Sequence, residues 1–335
     1  MHKFRKSNFG RLTFFVGIGV ILFLLSNRVD ELRVYQGATL AMYVVAISSL
    51  ILLTGYSGQV SLGHGALLAI GGYSAALAHN NLSAPIWVCF AIAVLVTAAA
   101  GAVLGTAAAR LSGPYLAGTT LALAVGLPSI ANQFSFLGGE QGLLFDTGAP
   151  PARLGSDFSP YKWTFWIAAL AALIAIWWLQ NILRSRYGRT WRAVRGNEVA
   201  AELAGIHAGK SKTLAFTVSS GLAGLAGALL AMTISTVSPS AFPLSLSFAL
   251  LTGAVLSGVT TLSGVMIGAL VLVATPEVAD AISNRLASSE RVTTNLPGLI
   301  VSALLILVVL LVPNGPVEQM RTLRTRKRAR SSSHL

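Results

Sequence analysis

Residues 34–66 read VYQGATLAMYVVAISSLILLTGYSGQVSLGHGA. The part up to Thr54 has the length and apolarity of a membrane-crossing helix, which needs roughly 20 mostly apolar residues. The part after it is crowded with glycine: Gly55, Gly58, Gly63 and Gly65, then Gly71 and Gly72. Each costs a helix about 1 kcal/mol relative to alanine. The pattern predicts a span broken at Gly55 and Gly58, with the later glycines letting helices approach closely. Interrupted helices in transporters present free backbone N–H groups and half-helix dipoles to a solute. Tyr56, Gly58, Gln59, Ser61, Gly63 and His64 are therefore candidates for lining a substrate pathway. Gln59, Ser61 and His64 add side-chain donors and acceptors. The competing reading is tight helix packing, with these polar groups bonded across helices and His64 a satisfied packed histidine.

The whole chain fits this reading. Its 335 residues are 54% hydrophobic and only 10% charged, with a mean hydropathy of +0.71. A soluble domain is about 25% charged, so the deficit argues against a soluble enzyme or a nucleic-acid binder. Cys89 is the single cysteine, which excludes an intrachain disulfide and a multi-cysteine zinc site. Apolar runs fall near 12–26, 34–54, 59–79, 85–109, 114–135, 163–183, 213–235, 244–259, 263–281 and 295–313. The expected fold is an all-α membrane protein, a bundle of about ten transmembrane helices, some short or glycine-broken. The first run follows Lys3, Arg5, Lys6 and Arg11 and has no small-residue cleavage site after it, so it reads as a retained anchor.

Charge sets the orientation. With both termini in the cytoplasm, 18 of the 24 Lys and Arg lie inside, and only Glu198, Glu202 and Glu318 of the 11 acids do. That is a strong positive-inside bias. The domain map is then a cytoplasmic arm 1–11, one transmembrane domain 12–318, and a basic, serine-rich tail 319–335. Residues 136–162 form the long outer loop and 184–212 the long inner one.

The interior holds little chemistry. No acid lies between Glu31 and Glu140, whereas ion-coupled carriers usually place ionisable groups inside the bilayer. Neither a Ser/His/Asp set nor paired acids for an intramembrane hydrolase are visible. Energy for active transport would come from another subunit. No metal ligands, cofactor or catalytic residues are assigned to this chain.

A second glycine-broken run, LTGAVLSGVTTLSGVMIGA at 251–269, aligns its Ser257-Gly258 with Ser57-Gly58. Ser257, Gly258 and Thr261 join the pathway candidates. The inner loop, RSRYGRTWRAVRGNEVAAELAGI at 184–206, reads as helical from Thr190 to Leu203 apart from Gly196. Arg189, Arg192 and Arg195, then Glu198 and Glu202, run against the dipole of such a helix. With Asn197 they are candidates for docking a partner protein. The alternative is binding to lipid headgroups. The run AGIHAGKS at 204–211 is not a phosphate loop, since Ala204 stands where its first glycine belongs.

These stretches resemble the membrane-spanning permeases of branched-chain amino-acid ABC transporters, the Liv-M-type subunit more than the Liv-H-type. The likeness is carried by GYSGQVSLGHGA at 55–66, GPYLAGTTLA at 113–122 with LGGEQGL at 137–143, SRYGRTWRAVRGNEVAAELAGI at 185–206, and VSPSAF at 237–242 with the glycine-rich run to Ala269. It covers most of the chain from Val34 to Pro316. It implies a permease subunit in a bacterial inner membrane, part of an ATP-driven importer of branched-chain or related amino acids. It implies as partners a Liv-H-type second permease, two cytoplasmic ATP-binding subunits and a periplasmic solute-binding protein. It makes 184–206 the element docked on an ATPase. The chain has Leu123-Ala124-Val125 where the family often has Phe-Gly-Glu, and Ser257, Thr260 and Ser263 where it often has glycines. Those departures leave the solute open, and urea or short amides are alternatives. A stand-alone secondary transporter is the runner-up class, and a membrane enzyme acting on lipid a third.

Overall fold

The computed structural model describes residues 2–111, 113–146, 150–151, 154, 158–258 and 262–286, with isolated positions between 299 and 310. It is built almost entirely from helices. They are α1 (His2–Ser26), α2 (Glu31–Leu50), α3 (His64–Leu82), α4 (Ile86–Ala108), α5 (Pro114–Gln133), α6 (Pro160–Arg184), α7 (Arg186–Gly196), α8 (Glu198–Leu203), α9 (Ala208–Ile234), α10 (Leu244–Leu256) and α11 (Val265–Leu286). Among the described residues, seven helical stretches are long and apolar enough to cross a membrane. The apolar part of α1, Thr13–Ser26, is shorter. The expected tenth span, 295–313, and the tail 319–335 lie largely or wholly outside the described residues.

Proline sets several starts. Pro114 and Pro160 open α5 and α6, where a missing N–H costs nothing because no intrahelical acceptor exists there. At the ends of α3 and α9, Ser83 and Ser235 take left-handed backbone, which turns the chain out of each helix.

The core is a stack of α3, α9 and α4, with α2 packed on α9 and α6 on α2. Small residues set the spacing. A Cβ on Gly227 would collide with the Leu68 carbonyl of α3, and one on Gly71 with the Gly224 carbonyl of α9. Alanine at either position would force these backbones apart.

Antiparallel packing gathers the connections at two ends. At one end, β1 (Leu143–Leu144) pairs with β2 (Thr236–Val237). This ties residues 143–145, after α5, to the α9–α10 connection, and Phe145 N–H donates to the Ser235 carbonyl at 3.0 Å. The other end carries α7, α8, the irregular stretch 57–63 and the chain that follows the last turns of α4 and α10 at 109–111 and 257–258. It is the basic end, with Arg110 and the arginines and lysines of 184–212.

Two expectations need correction. The predicted span 59–79 begins later, because residues 57–63 are irregular and α3 starts at His64. The backbone does not break at Gly55. α2 continues through it as a π-helix, Ile51–Tyr56, whose wider turn keeps the Gly55 amide within helical geometry. The break comes at Gly58, where φ is +77°.

Candidate transport pathway and coupling site

The break is held by bonds from three other helices, α9, α5 and α10. Ser57 closes the π-helix, donating its N–H to the Leu52 carbonyl at 3.2 Å. Gly58 then turns the chain in the left-handed region, which glycine adopts without a Cβ clash. Gln59 is buried, and its Nε2 donates to Ser57 Oγ at 2.7 Å and to the Lys212 carbonyl of α9 at 3.0 Å. Leu62 N–H donates to Thr120 Oγ1 of α5 at 3.0 Å. A Cβ on Gly63 would strike the Thr120 carbonyl. Gly65 N–H, in the first turn of α3, donates to Ser247 Oγ of α10 at 2.9 Å. No side chain caps α3 at Gly63, so a neighbouring helix satisfies a donor that a helix start leaves open.

His64 is fully buried at the meeting of α2, α3 and α9. Its Nε2 lies 3.0 Å from Ser49 Oγ and 3.4 Å from Ser219 Oγ, and its Nδ1 lies 3.4 Å from Ser61 Oγ. Both serine protons near Nε2 are already used: Ser49 donates to the Ala46 carbonyl and Ser219 to the Ser49 carbonyl, each at 2.7 Å. The network therefore assigns the proton to Nε2, with Nδ1 accepting from Ser61. His64 joins three helices as a satisfied donor and acceptor. Gln59, Ser61, Gly63 and His64 all have their exposed surface covered, whereas Tyr56 is half-buried and Gly58 is open.

The basic loop folds differently from one long helix. Ser185 caps α7, accepting from Tyr187 N–H at 3.2 Å. Asn197 is extended, and its side chain accepts from Ala200 N–H at 3.0 Å, starting α8. Asparagine is a strong helix N-cap, and here it overrides continuation from Gly196. The argument from an opposed dipole therefore fails. Arg195 sits in the last turn of α7 and Glu198 in the first turn of α8, both favourable placements.

α7 is bolted to the bundle. Trp191 is buried and its indole N–H donates to the Ser211 carbonyl at 3.1 Å. Arg195 donates to the Gly55 carbonyl, and a Cβ on Gly58 would lie 3.0 Å from Arg195 Cγ. The Arg192 guanidinium stands 5.8 Å from the centre of the Tyr56 ring. In α8, Glu198 pairs with Lys212 Nζ at 2.6 Å, and the Lys212 carbonyl is the one Gln59 holds. The coupling candidates and the break candidates thus form one continuous contact. Arg189, Asn197 and Glu202 remain exposed, as do Val199 and Leu203 on α8.

The second break repeats the first. Ser257 is helical at φ −65°, ψ −16°, and Gly258 follows at φ +78°; Ser57 and Gly58 have φ −97°, ψ −15° and then φ +77°. Ser257 Oγ donates to the Gly253 carbonyl at 2.6 Å, and a Cβ on Gly268 would collide there. Thr261 lies outside the described residues. Sequence reading missed Ser49, a helix turn or more before the break, and Thr120, Ser219, Ser247 and Lys212, which stand far from it in the chain.

The family described as "Branched-chain amino acid transport system / permease component" matches residues 34–310. The chain belongs to that family. The match starts at Val34, so it takes in both glycine breaks and the α7–α8 loop of this permease and leaves α1 outside. Among curated relatives, the high-affinity branched-chain amino acid transport system permease protein LivM of Escherichia coli (strain K12) is 33% identical over 264 residues, 72% of this chain and 62% of its own. The LivH permease protein of Salmonella typhimurium is 29% identical over 191 residues, 57% of this chain and 54% of its own. The ribose import permease protein RbsC of Haemophilus influenzae is 26% identical over 265 residues, 75% and 76% of the two chains. The permease thus spans about 62% of the length of the LivM relative. No solved structure matches it.

Proposed function

We propose that this permease is the membrane-spanning subunit of an ATP-driven importer of branched-chain or related amino acids. In this reading a binding protein delivers the solute at the β1–β2 end. A Liv-H-type second permease completes the pathway, and two ATP-binding subunits sit against α7 and α8 in the cytoplasm. The seven apolar helices and the permease family make the chain a multi-pass membrane protein. The inner membrane of a bacterium is the proposed location.

The observation that carries the reading is the contact of Arg195 with the Gly55 carbonyl, at the end of α2, and with Gly58, where the chain breaks. A loop with no chemistry of its own holds the one point where α2 leaves helical geometry. Exposed Val199 and Leu203, four residues apart on α8, offer an apolar face for an ATPase groove. A push on α7–α8 reaches the break, Gln59 and Lys212 without an intermediate. Two arrangements of the break, biased by that push, are what alternating access requires.

The test is uptake by proteoliposomes holding the permease with its co-expressed partners, with leucine, urea and ribose offered in parallel. ATP-dependent leucine uptake supports the reading. Uptake of urea or ribose alone would move the solute class, and uptake without ATP would replace the importer by a secondary carrier.

A further inference from the structure

Two buried groups at the first break lack a hydrogen-bond partner, and they are complementary. Gln59 commits its Nε2 to Ser57 Oγ and to the Lys212 carbonyl, while its Oε1 is buried with no donor. Turning the amide over would set Oε1 against the Lys212 carbonyl, so the orientation stands. Ser211 is the residue beside Lys212, in the first turn of α9, and its hydroxyl is also buried without a partner. The other unpartnered buried side-chain atoms among the described residues are hydroxyls, on Ser48, Tyr73, Thr97, Ser159 and Ser220. Gln59 Oε1 is the one atom of this set that can only accept. The Ser211 hydroxyl is the free donor next in the chain to the carbonyl that Gln59 already holds.

The main chain of Ser211 is already engaged. Its N–H donates to the His207 carbonyl at 3.0 Å, and its carbonyl accepts from the Trp191 indole of α7 at 3.1 Å. A displacement of α7 therefore reaches Ser211 directly. An unsatisfied buried group costs free energy, so this arrangement of the break carries two such costs, which one new bond would remove together. We propose that the Ser211 hydroxyl donates to Gln59 Oε1 in the second arrangement of the break, with Trp191 carrying Ser211 toward Gln59 as α7 moves. Ser211 is then a positioning residue, touching no solute. The proposal rests on the coupling reading and names the bond that stabilises its second state.

The test compares stability with uptake, using leucine as the probe and the permease with its co-expressed partners. Ser211→Ala removes a hydroxyl that has no partner in this arrangement, so the unfolding temperature of the solubilised permease should hold or rise. It also removes the donor of the second arrangement, so leucine uptake should fall roughly three- to tenfold. A hydroxyl with a merely structural role would lower both together. Gln59→Met supplies the second arm: in that background Ser211→Ala should change uptake less than about twofold, because the acceptor is already gone. Unchanged uptake in Ser211→Ala, an unfolding temperature that drops with uptake, or the same loss in both Gln59 backgrounds overturns the proposal. Each of these leaves ATP-dependent uptake by the wild type, and with it the importer reading, standing. Wild-type uptake that needs no ATP would instead remove the importer reading and leave the ratio of variant to wild type as the measure of this bond.

Discussion

Replacing Arg195 with alanine tests whether the loop and the break act together. In the wild type the guanidinium donates to the Gly55 carbonyl and the side chain lies over Gly58. A hydrogen bond from a charged donor is worth about 1.5–3 kcal/mol. Arg195 is exposed, so the lower end applies, roughly 1.5 kcal/mol, or about a tenfold change in an equilibrium. Truncation leaves Trp191 anchored on Ser211 and Lys212 paired with Glu198, so α7 and α8 stay in place. What is lost is the link to the break. Uptake by the reconstituted complex should fall about tenfold while basal ATP hydrolysis persists, because the ATPase still docks but no longer moves α2. Glu198→Gln is the control: a partly exposed ion pair contributes about 0–1 kcal/mol, and uptake should change less than about fivefold. Uptake within twofold of wild type in Arg195→Ala, at normal expression, would refute the link.

Other outcomes follow from the packing. Gly63→Leu should abolish uptake with the protein still in the membrane, since its side chain enters the Thr120 backbone; uptake assays beside membrane immunoblots decide this. His64→Leu empties three polar contacts and should cost about 1–3 kcal/mol, seen as a lower unfolding temperature of the solubilised protein. In a Cys89→Ser background, a cysteine at Glu140 should react with an impermeant maleimide added outside, and one at Gly196 should not. Labelling at 196 from outside would invert the topology.

The helical bundle was legible in the sequence because length and apolarity decide which segments can cross a bilayer. The position of the first break was half legible. Gly58 is where the chain turns, but Gly55 is absorbed by a π-turn that no glycine count signals. The loop between α7 and α8 carried its own marker, Asn197 followed by Glu198 in a first turn, and reading Gly196 as a mere weak point concealed it. Gln59, Ser61 and His64 were visible as polar residues in an apolar run. Their partners were not: Lys212 holds Gln59, and Ser49 and Ser219 meet His64 from other helices, while Thr120 and Ser247 take the Leu62 and Gly65 amides, pairings that no local periodicity signals. The repeat of the break at Ser257-Gly258 rests in sequence on a two-residue match, whereas the backbone angles make it plain.

The central claim is that energy enters through α7–α8 from an ATPase. The most direct measurement is leucine uptake into proteoliposomes holding the whole complex, with ATP supplied on the α7–α8 side, binding protein on the other, and ionophores collapsing proton and sodium gradients. The account predicts uptake that requires ATP and is indifferent to the ionophores. Uptake that continues without ATP and stops when the gradients collapse would contradict it.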